Sequence, residues 1–215
     1  ILEHVLQTLA FYHPRAIDTS GGFYHFLKDD GTVFDCHTRH LVSSARYVFV
    51  WAMAARHFPD RPEFIANARR AVAFLRDAHR DPVSGGYAWQ LDWRDSKATV
   101  TDGTNHCYGL AFVLLAYAHA LRAGIAEAAA WIDETYELME QRFWLADDGL
   151  YADEATPDWT LSPYRGQNAN MHATEACLAA YETSGQPRFL DRAQLLATNI
   201  TQRQAALTDG LMIWE

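Results

Sequence analysis

The segment Gly21-Gly22-Phe23-Tyr24 decides the fold, because short glycine-led segments like it recur along the 215-residue chain at nearly constant spacing. The later copies are Gly85-Gly86-Tyr87-Ala88, Asp148-Gly149-Leu150-Tyr151 and Asp209-Gly210-Leu211-Met212. Their second residues lie 64, 63 and 61 residues apart, and a fixed period of this kind indicates a repeat architecture. Equivalent positions of the units should therefore face the same space, where a residue that breaks the apolar pattern becomes a candidate for chemistry.

Each repeat unit is predicted to contain a short hairpin followed by two helices. Alternating and aromatic residues at 23–34, with a turn at Asp29-Asp30-Gly31, indicate the hairpin. Strongly apolar stretches predict buried inner helices at 41–58, 108–123 and 171–183. After breaks that contain Pro or Gly, amphipathic stretches predict outer helices at 63–79, 126–143 and 188–203, and a further one at 1–13.

Stacked units of this kind predict an all-α fold, an α/α toroid in which outer helices surround inner ones. The short β-hairpins and the N-termini of the inner helices then share one rim, where a site is expected. We expect residues 1–215 to form a single, partial α/α-barrel domain of three helix-pair repeats plus the start of a fourth. Because an open ring exposes inner-helix surface, we expect a missing C-terminal half or a homo-oligomeric partner to complete it.

The composition narrows the class of function. The formal net charge is −9 and the Lys and Arg residues are scattered, which argues against a nucleic-acid or anionic-membrane partner. Three cysteines without CxxC spacing indicate free thiols in a reducing cytoplasm, and neither a membrane span nor a signal peptide is recognised. Aromatic residues make up 13% of the chain; most are expected in the core, although the excess also suits a carbohydrate ligand.

Counting from the glycine segments gives three equivalent inner-helix positions, which are Arg46, Leu110 and His172. The middle position is apolar, as a core-forming repeat requires, whereas the outer two carry a cation and an imidazole. A charge on an apolar helix needs a carboxylate partner or a polar cavity, so a structural salt bridge and a ligand role for Arg46 both stay open.

The most informative stretch runs from Tyr164 to Glu175, with the sequence YRGQNANMHATE. Asn168 or Asn170 could cap the helix start, and His172 and Glu175 share one helix face at i, i+3. A carboxylate beside an imidazole fixes the tautomer and suits a general base near neutral pH, whereas an isolated histidine is more often part of a core. Two ligands are too few for a metal site, so no metal is expected.

The segment 165–172 together with Glu175 resembles the N-acylglucosamine 2-epimerase family, whose members include cellobiose 2-epimerases and aldose–ketose isomerases that act on mannose. The segments 21–24, 38–46 and 108–116 are similar to its mannose-isomerase-like branch. The resemblance covers essentially the whole chain and implies an (α/α)6 barrel. It also implies a carbohydrate-metabolism enzyme that moves a proton at C2 of an open-chain aldose without a cofactor.

The resemblance carries site roles onto residues of this chain. His172 would be one of two acid/base histidines, Glu175 would orient it, and Arg46 would stabilise the negative oxygen of an enediolate. The expected substrate-binding residues are Asn168, Asn170, Arg165, His106 and Tyr108. The resemblance implies a monosaccharide substrate, and a product that is either a ketose from mannose or a 2-epimer of an N-acylhexosamine.

Two departures from the family pattern, and two other functions, remain open. Many family members carry a histidine where this chain has Leu110; His106, one turn earlier, either substitutes for it or only lies near the rim. The second acid/base histidine of the family belongs to a C-terminal helix that this chain does not reach. The alternatives are an α/α-barrel glycoside hydrolase using Asp102 and Glu175, and a non-catalytic sugar-binding fragment.

Overall fold

The computed structural model describes residues 1–207. Within that range three inner helices alternate with three outer helices, and one further helix precedes them. The inner helices are α2 (Leu41–His57), α4 (Cys107–Arg122) and α6 (Gln167–Ser184), and the others are α1 (Leu2–Tyr12), α3 (Pro62–Phe74), α5 (Ala128–Arg142) and α7 (Pro187–Thr198). π-Helical segments, Leu75–His79 and Asn199–Gln204, extend α3 and α7. The predicted helices are confirmed to within a few residues, and the fourth glycine segment lies outside the described residues.

The inner helices pack side by side, with α4 between α2 and α6, and each outer helix packs on the inner helix of its own unit. The central helix α4 is apolar on nearly all sides, and its Leu110, Leu114 and Tyr117 are fully buried. Pro62 and Pro187 occupy the first turn of α3 and α7, where a missing N–H costs no helical hydrogen bond. This arrangement confirms the predicted order of an α/α toroid.

Short antiparallel strands form the rim at the N-terminal ends of the inner helices. They are β1 (Phe26–Leu27), β2 (Val33–Asp35), β3 (Thr38–His40), β4 (Gln90–Arg94), β5 (Lys97–Asp102), β6 (Asn105–His106), β7 (Trp144–Leu145), β8 (Leu150–Tyr151) and β9 (Glu154–Ala155). Two of the pairings, β3 with β4 and β6 with β9, join a strand of one unit to a strand of the next. The residues that start α2 and α4 are thereby held by the following unit.

The glycine segments recur because the backbone requires them. Gly22 and Gly149 adopt φ values of +64° and +65°, in the left-handed region that side chains disfavour. A Cβ on Gly22 would lie 2.6 Å from the ring of Phe74, which α3 packs against this turn. The turn between each outer helix and the next hairpin therefore depends on glycine, and this dependence explains the period.

The glycine count misplaces one of the three equivalent positions. The inner helices begin 19, 21 and 18 residues after Gly22, Gly86 and Gly149, because the hairpins differ in length. Counted from the helix starts instead, the equivalent of Arg46 and His172 is Phe112, not Leu110. Leu110 lies two residues earlier and is 1% exposed, so it belongs to the core. The assignment of Leu110 to this position is wrong.

The outermost inner helices expose apolar side chains, as expected for an open ring. Val50 on α2 is 41% exposed, and Met171 and Leu178 on α6 are 49% and 43% exposed. Leu2 and Val5 of α1 are exposed as well. In the part of the chain that the structure describes, no helix combines the length and hydropathy that crossing a membrane requires.

Candidate active site

Arg46 and His172 converge on the same aromatic ring. The guanidinium carbon of Arg46 lies 4.8 Å from the centroid of the Phe112 ring, and the His172 ring centroid lies 4.7 Å from it. Phe112 therefore forms an apolar floor between a cation from α2 and an imidazole from α6. The three residues are equivalent in their helices, which is how a repeat brings different chemistry to one place.

His172 is oriented by the carboxylate one turn further along α6. Its Nδ1 lies 2.9 Å from Oε2 of Glu175, and its side chain is 22% exposed. When Glu175 is ionised it accepts the proton on Nδ1, so Nε2 carries the lone pair. The pair can therefore accept a proton at Nε2 while the carboxylate stabilises the imidazolium that forms.

Tyr108 and His106 extend the site along the first turn of α4. The Tyr108 ring meets the His172 ring edge-on, with centroids 5.1 Å apart. His106 precedes the helix, and its Nδ1 lies 3.6 Å from Oε2 of Glu154 across the β6–β9 pair. Burial lowers the pKa of His106, and the opposing charges of Glu154 and Asp102 do not fully offset it. His106 thus borders the site as a largely neutral imidazole near pH 7.

Two rim residues outside the predicted site, Trp89 and His40, continue this surface. The Trp89 ring lies between two imidazoles, with centroids 4.3 Å from His40 and 4.0 Å from His106, and 6.3 Å from the Tyr108 ring. His40 and His106 occupy the same position before α2 and α4. Their equivalent positions could have identified both residues from the sequence. Because the hairpins differ in length, counting from the glycine segments does not align them.

Of the remaining predicted site residues, one lies on the face of α6 that carries His172, and two support the local structure. Asn168 is exposed and precedes His172 by one turn on the same face of α6. Asn170 is buried, and its side-chain amide bonds both backbone groups of Tyr151, at 2.7 and 3.0 Å. Arg165 donates to the carbonyls of residues 162 and 164 and therefore holds its own loop. Neither asparagine caps α6, because the residue before this helix is Gly166.

The polar groups of the cleft have few protein partners. Within residues 1–207, no hydrogen bond or ion pair is formed by the Arg46 guanidinium, the Tyr108 hydroxyl or the Trp89 indole N–H. Arg46 therefore forms no salt bridge within that range, and its side chain is exposed. Converging polar groups without internal partners are typical of a ligand site.

A buried chain of hydrogen bonds lies directly beneath the rim. His25 Nδ1 accepts the backbone N–H of His40 at 2.9 Å, and Ser44 Oγ lies 3.4 Å from His25 Nε2 and 2.9 Å from His79 Nε2. His79 Nδ1 donates to the carbonyl of Ala88 at 2.9 Å. These contacts fix one neutral tautomer for each ring and tie His40 and the residue before Trp89 to the core.

Burial keeps both of these histidines neutral. It lowers the pKa of His79 to about 4, despite the opposing hydrogen bond to Ala88, and lowers that of His25 well below its usual value. The charges of Arg39 and His40 lower both pKa values further, and Asp35 opposes the effect only at His25. Among the described residues no three His, Cys, Asp or Glu side chains are grouped as metal ligands.

Comparison with known proteins gives the same picture of the whole chain. The N-acylglucosamine 2-epimerase (GlcNAc 2-epimerase) family matches residues 21–215. A D-mannose isomerase from Marinomonas mediterranea is 51% identical over 213 residues, covering 99% of this chain and 52% of that protein. A cellobiose 2-epimerase from Eubacterium cellulosolvens is 28% identical over 154 residues, covering 71% of this chain and 36% of that protein.

A crystal structure of a D-mannose isomerase aligns with a TM-score of 0.94 at 50% identity, covering 99% of this chain and 53% of that one. The chain thus spans about half the length of the curated relatives it matches. Its helix pairs correspond to about half of the (α/α)6 barrel of these proteins. The chain belongs to the N-acylglucosamine 2-epimerase family.

Proposed function

We propose that the protein is an aldose–ketose isomerase that converts D-mannose to D-fructose by proton transfer at C2 of the open-chain sugar. The observation that carries this proposal is the convergence of Arg46 and His172 on Phe112. A base and a cation at one apolar floor are the two elements that abstraction of a proton beside a carbonyl requires. The 51% identity to a D-mannose isomerase supports mannose as the substrate.

In this mechanism Nε2 of His172 removes the C2 proton, and Glu175 stabilises the imidazolium. The electron pair of the broken C–H bond forms the C1=C2 double bond, and the carbonyl electrons move onto O1, which becomes an oxyanion beside Arg46. Transfer of the O2 proton to O1 and return of the abstracted proton to C1 then give the ketose, with C2=O formed as the C1=C2 double bond is lost. The second acid/base histidine comes from outside residues 1–215. Tyr108, His106 and Asn168 are proposed to bind sugar hydroxyls; Arg165 supports the site from the loop before α6, and Asn170 supports it from inside α6.

Return of the proton to the opposite face of C2 would give the epimer instead, so 2-epimerisation of an N-acylhexosamine is the same chemistry with a different second step. The lower identity to a cellobiose 2-epimerase, 28%, favours isomerisation. A glycoside hydrolase is disfavoured by Asp102. Burial opposes ionisation of this carboxyl, but hydrogen bonds from Thr104 and the charges of His106 and His40 together lower its pKa, whereas a general acid needs a raised pKa.

We further propose that residues 1–215 are one part of a single barrel domain. A C-terminal half that closes the ring would cover the exposed Val50, Met171 and Leu178. The half-length match to the relatives supports this assignment over a homo-oligomer.

The three cysteines are free thiols, which supports the proposal that the protein works in a reducing cytoplasm.

The test is proton exchange at C2. The intact protein is incubated with D-mannose in D2O and the C2 proton is followed by NMR; loss of its signal with appearance of fructose is expected. His172→Gln should slow exchange by roughly 10²–10⁴-fold, the usual contribution of a positioned acid/base group. His57→Gln, at the exposed C-terminal end of α2, is the matched control and should exchange at the wild-type rate. Wild-type protein that leaves C2 unexchanged would overturn the proposal.

A further inference from the structure

We propose that Trp89 is a further substrate-contacting residue of this cleft, which binds a C–H face and one hydroxyl of the sugar. The proposal rests on the function proposed above and assigns a residue that neither the repeat nor the family resemblance singles out. It is carried by the position of the ring, by its free donor and by the way its backbone is held.

The Trp89 ring continues the surface that begins at His172. Tyr108 lies between them, with ring centroids 5.1 Å from His172 and 6.3 Å from Trp89. Trp89 is half-buried, and within residues 1–207 its indole N–H has no acceptor. An aromatic ring offers the C–H groups of a sugar an apolar face, and a free indole N–H offers a hydroxyl one hydrogen bond.

The ring is fixed before any ligand arrives. The carbonyl of Trp89 accepts the N–H of Leu41 at 2.9 Å, which ties it to the start of α2. Gly109 leaves room for the ring on α4, because a Cβ there would lie 3.2 Å from the indole. His79 holds the preceding residue, Ala88, from both sides, donating from Nδ1 to its carbonyl and accepting its N–H at 2.8 Å. A side chain held this way binds with little loss of conformational entropy.

A second tryptophan on the same hairpin, Trp93, uses its ring and its indole N–H for contacts within the protein. The indole N–H of Trp93 donates to Ser20 Oγ at 2.9 Å, and its ring meets Phe74 edge-on at 4.9 Å. Its donor is therefore used within the protein, and its ring joins β4 to α3. Of the two tryptophans, only Trp89 combines a half-buried ring in the cleft with a free donor.

A contact made equally in the ground state and the transition state changes KM and leaves kcat nearly unchanged. Trp89→Phe removes the N–H but keeps a ring, and we expect KM for D-mannose to rise about threefold. Trp89→Ala removes both, and we expect KM to rise roughly tenfold or more, which corresponds to the usual size of one aromatic contact plus one hydrogen bond. Trp93→Phe, which alters no cleft residue, should leave KM unchanged.

The experiment measures kcat and KM for D-mannose, and the dissociation constant of D-mannose by calorimetry, for the intact wild type and the three variants. Melting temperatures within a few degrees of wild type establish that each variant is folded; Trp89→Phe keeps the test valid if Trp89→Ala does not fold. An unchanged KM in Trp89→Phe and in a folded Trp89→Ala overturns the inference, as does an equal rise in Trp93→Phe. If the wild type binds D-mannose without exchanging its C2 proton, the proposed function fails while the dissociation constants still test Trp89. If it neither binds nor exchanges, both are overturned.

Discussion

The molecule uses histidines in two neighbouring regions in opposite ways. In the buried chain, His25 and His79 have both ring nitrogens in contact with a protein group and are held neutral. In the cleft above, His172 has one nitrogen held by Glu175, and its other nitrogen forms no hydrogen bond within residues 1–207. The difference teaches that a histidine near this rim indicates chemistry only when one ring nitrogen is left unused, since the same residue type builds both the support and the site.

The same contrast holds for the two arginines of the first unit. Arg39 is fully buried and bonded to Asp18, at 2.5 Å, and to the carbonyls of residues 36 and 38. Arg46 is exposed, lies over the face of Phe112, and forms no hydrogen bond or ion pair within residues 1–207. A substitution should therefore reduce stability in the first case and reduce the reaction rate in the second.

The largest expected effect comes from breaking the buried pair. Asp18→Ala leaves the Arg39 guanidinium without its counter-ion in the core, and we expect the free energy of unfolding to fall by about 3–5 kcal/mol. Urea unfolding of the intact protein measures it. Arg94→Ala, which removes the exposed pair with Asp92, is the control and should cost less than about 1 kcal/mol. Equal losses in the two variants would contradict the contrast between the regions.

The second largest expected effect is on the reaction rate, with little change in stability. Arg46→Ala removes the cation proposed to face the developing oxyanion, and kcat for D-mannose should fall by about 10²–10³-fold with little change in the melting temperature. Arg56→Ala, an exposed arginine nearer the end of α2, should keep the wild-type kcat. A large loss of stability in Arg46→Ala would instead give this residue a structural role.

The buried histidines predict a dependence of stability on pH. The folded pKa of His79 is about 4 and that of His25 lies well below the unfolded value of about 6.5, so their contribution is complete above pH 6.5 and is lost as the pH falls below it. Each histidine should contribute a slope of up to about 1.4 kcal/mol per pH unit in this window. Asp35, with a pKa of about 2, stays ionised throughout it. Urea unfolding between pH 7 and pH 4.5 should show a shallower slope in His79→Gln; identical slopes would refute the assignment.

The smallest effect concerns Phe112, the floor of the cleft between Arg46 and His172. Phe112→Leu keeps an apolar side chain but removes the aromatic face under Arg46 and His172. We expect a loss of about 1 kcal/mol in the free energy of unfolding and a few-fold decrease in kcat/KM. Leu110→Val, two residues away in the core, should lower stability by a similar amount without changing kcat/KM. If both variants lose activity equally, Phe112 has no special role.

Much of the fold follows from the sequence, because the glycine segments and the apolar helices are local signals. The α2 helix begins at Leu41, as predicted, and α1, α3, α5 and α7 lie within their predicted ranges or one residue outside them. The equivalence of Phe112 with Arg46 and His172 could not be predicted from those signals. It depends on hairpin length, and the β4–β5 hairpin of the second unit places its helix two residues later than in the first.

The candidate site follows from the sequence only in part. His172 and Glu175 share a helix face by spacing alone, and the contact between them agrees with that spacing. Asn170 has the same residue type as Asn168 and lies two residues further on, yet it is turned into the core, where it bonds to Tyr151. Trp89 looks like any core aromatic in the sequence, since only the pairing of β3 with β4 brings it beside His40. Long-range pairing, not local pattern, decides these positions.

The strand pairs that cross from one unit to the next have a consequence for folding. Because β3 belongs to the first unit and pairs with β4 of the second, neither unit can complete its rim alone. The pairing of β6 with β9 repeats this dependence between the second and third units. We expect the rim amides of all three units to exchange with solvent hydrogen together, in one cooperative opening, whereas the ends of the outer helices exchange independently. A repeat protein built this way behaves as an interlocked ring segment, not as a row of separable modules.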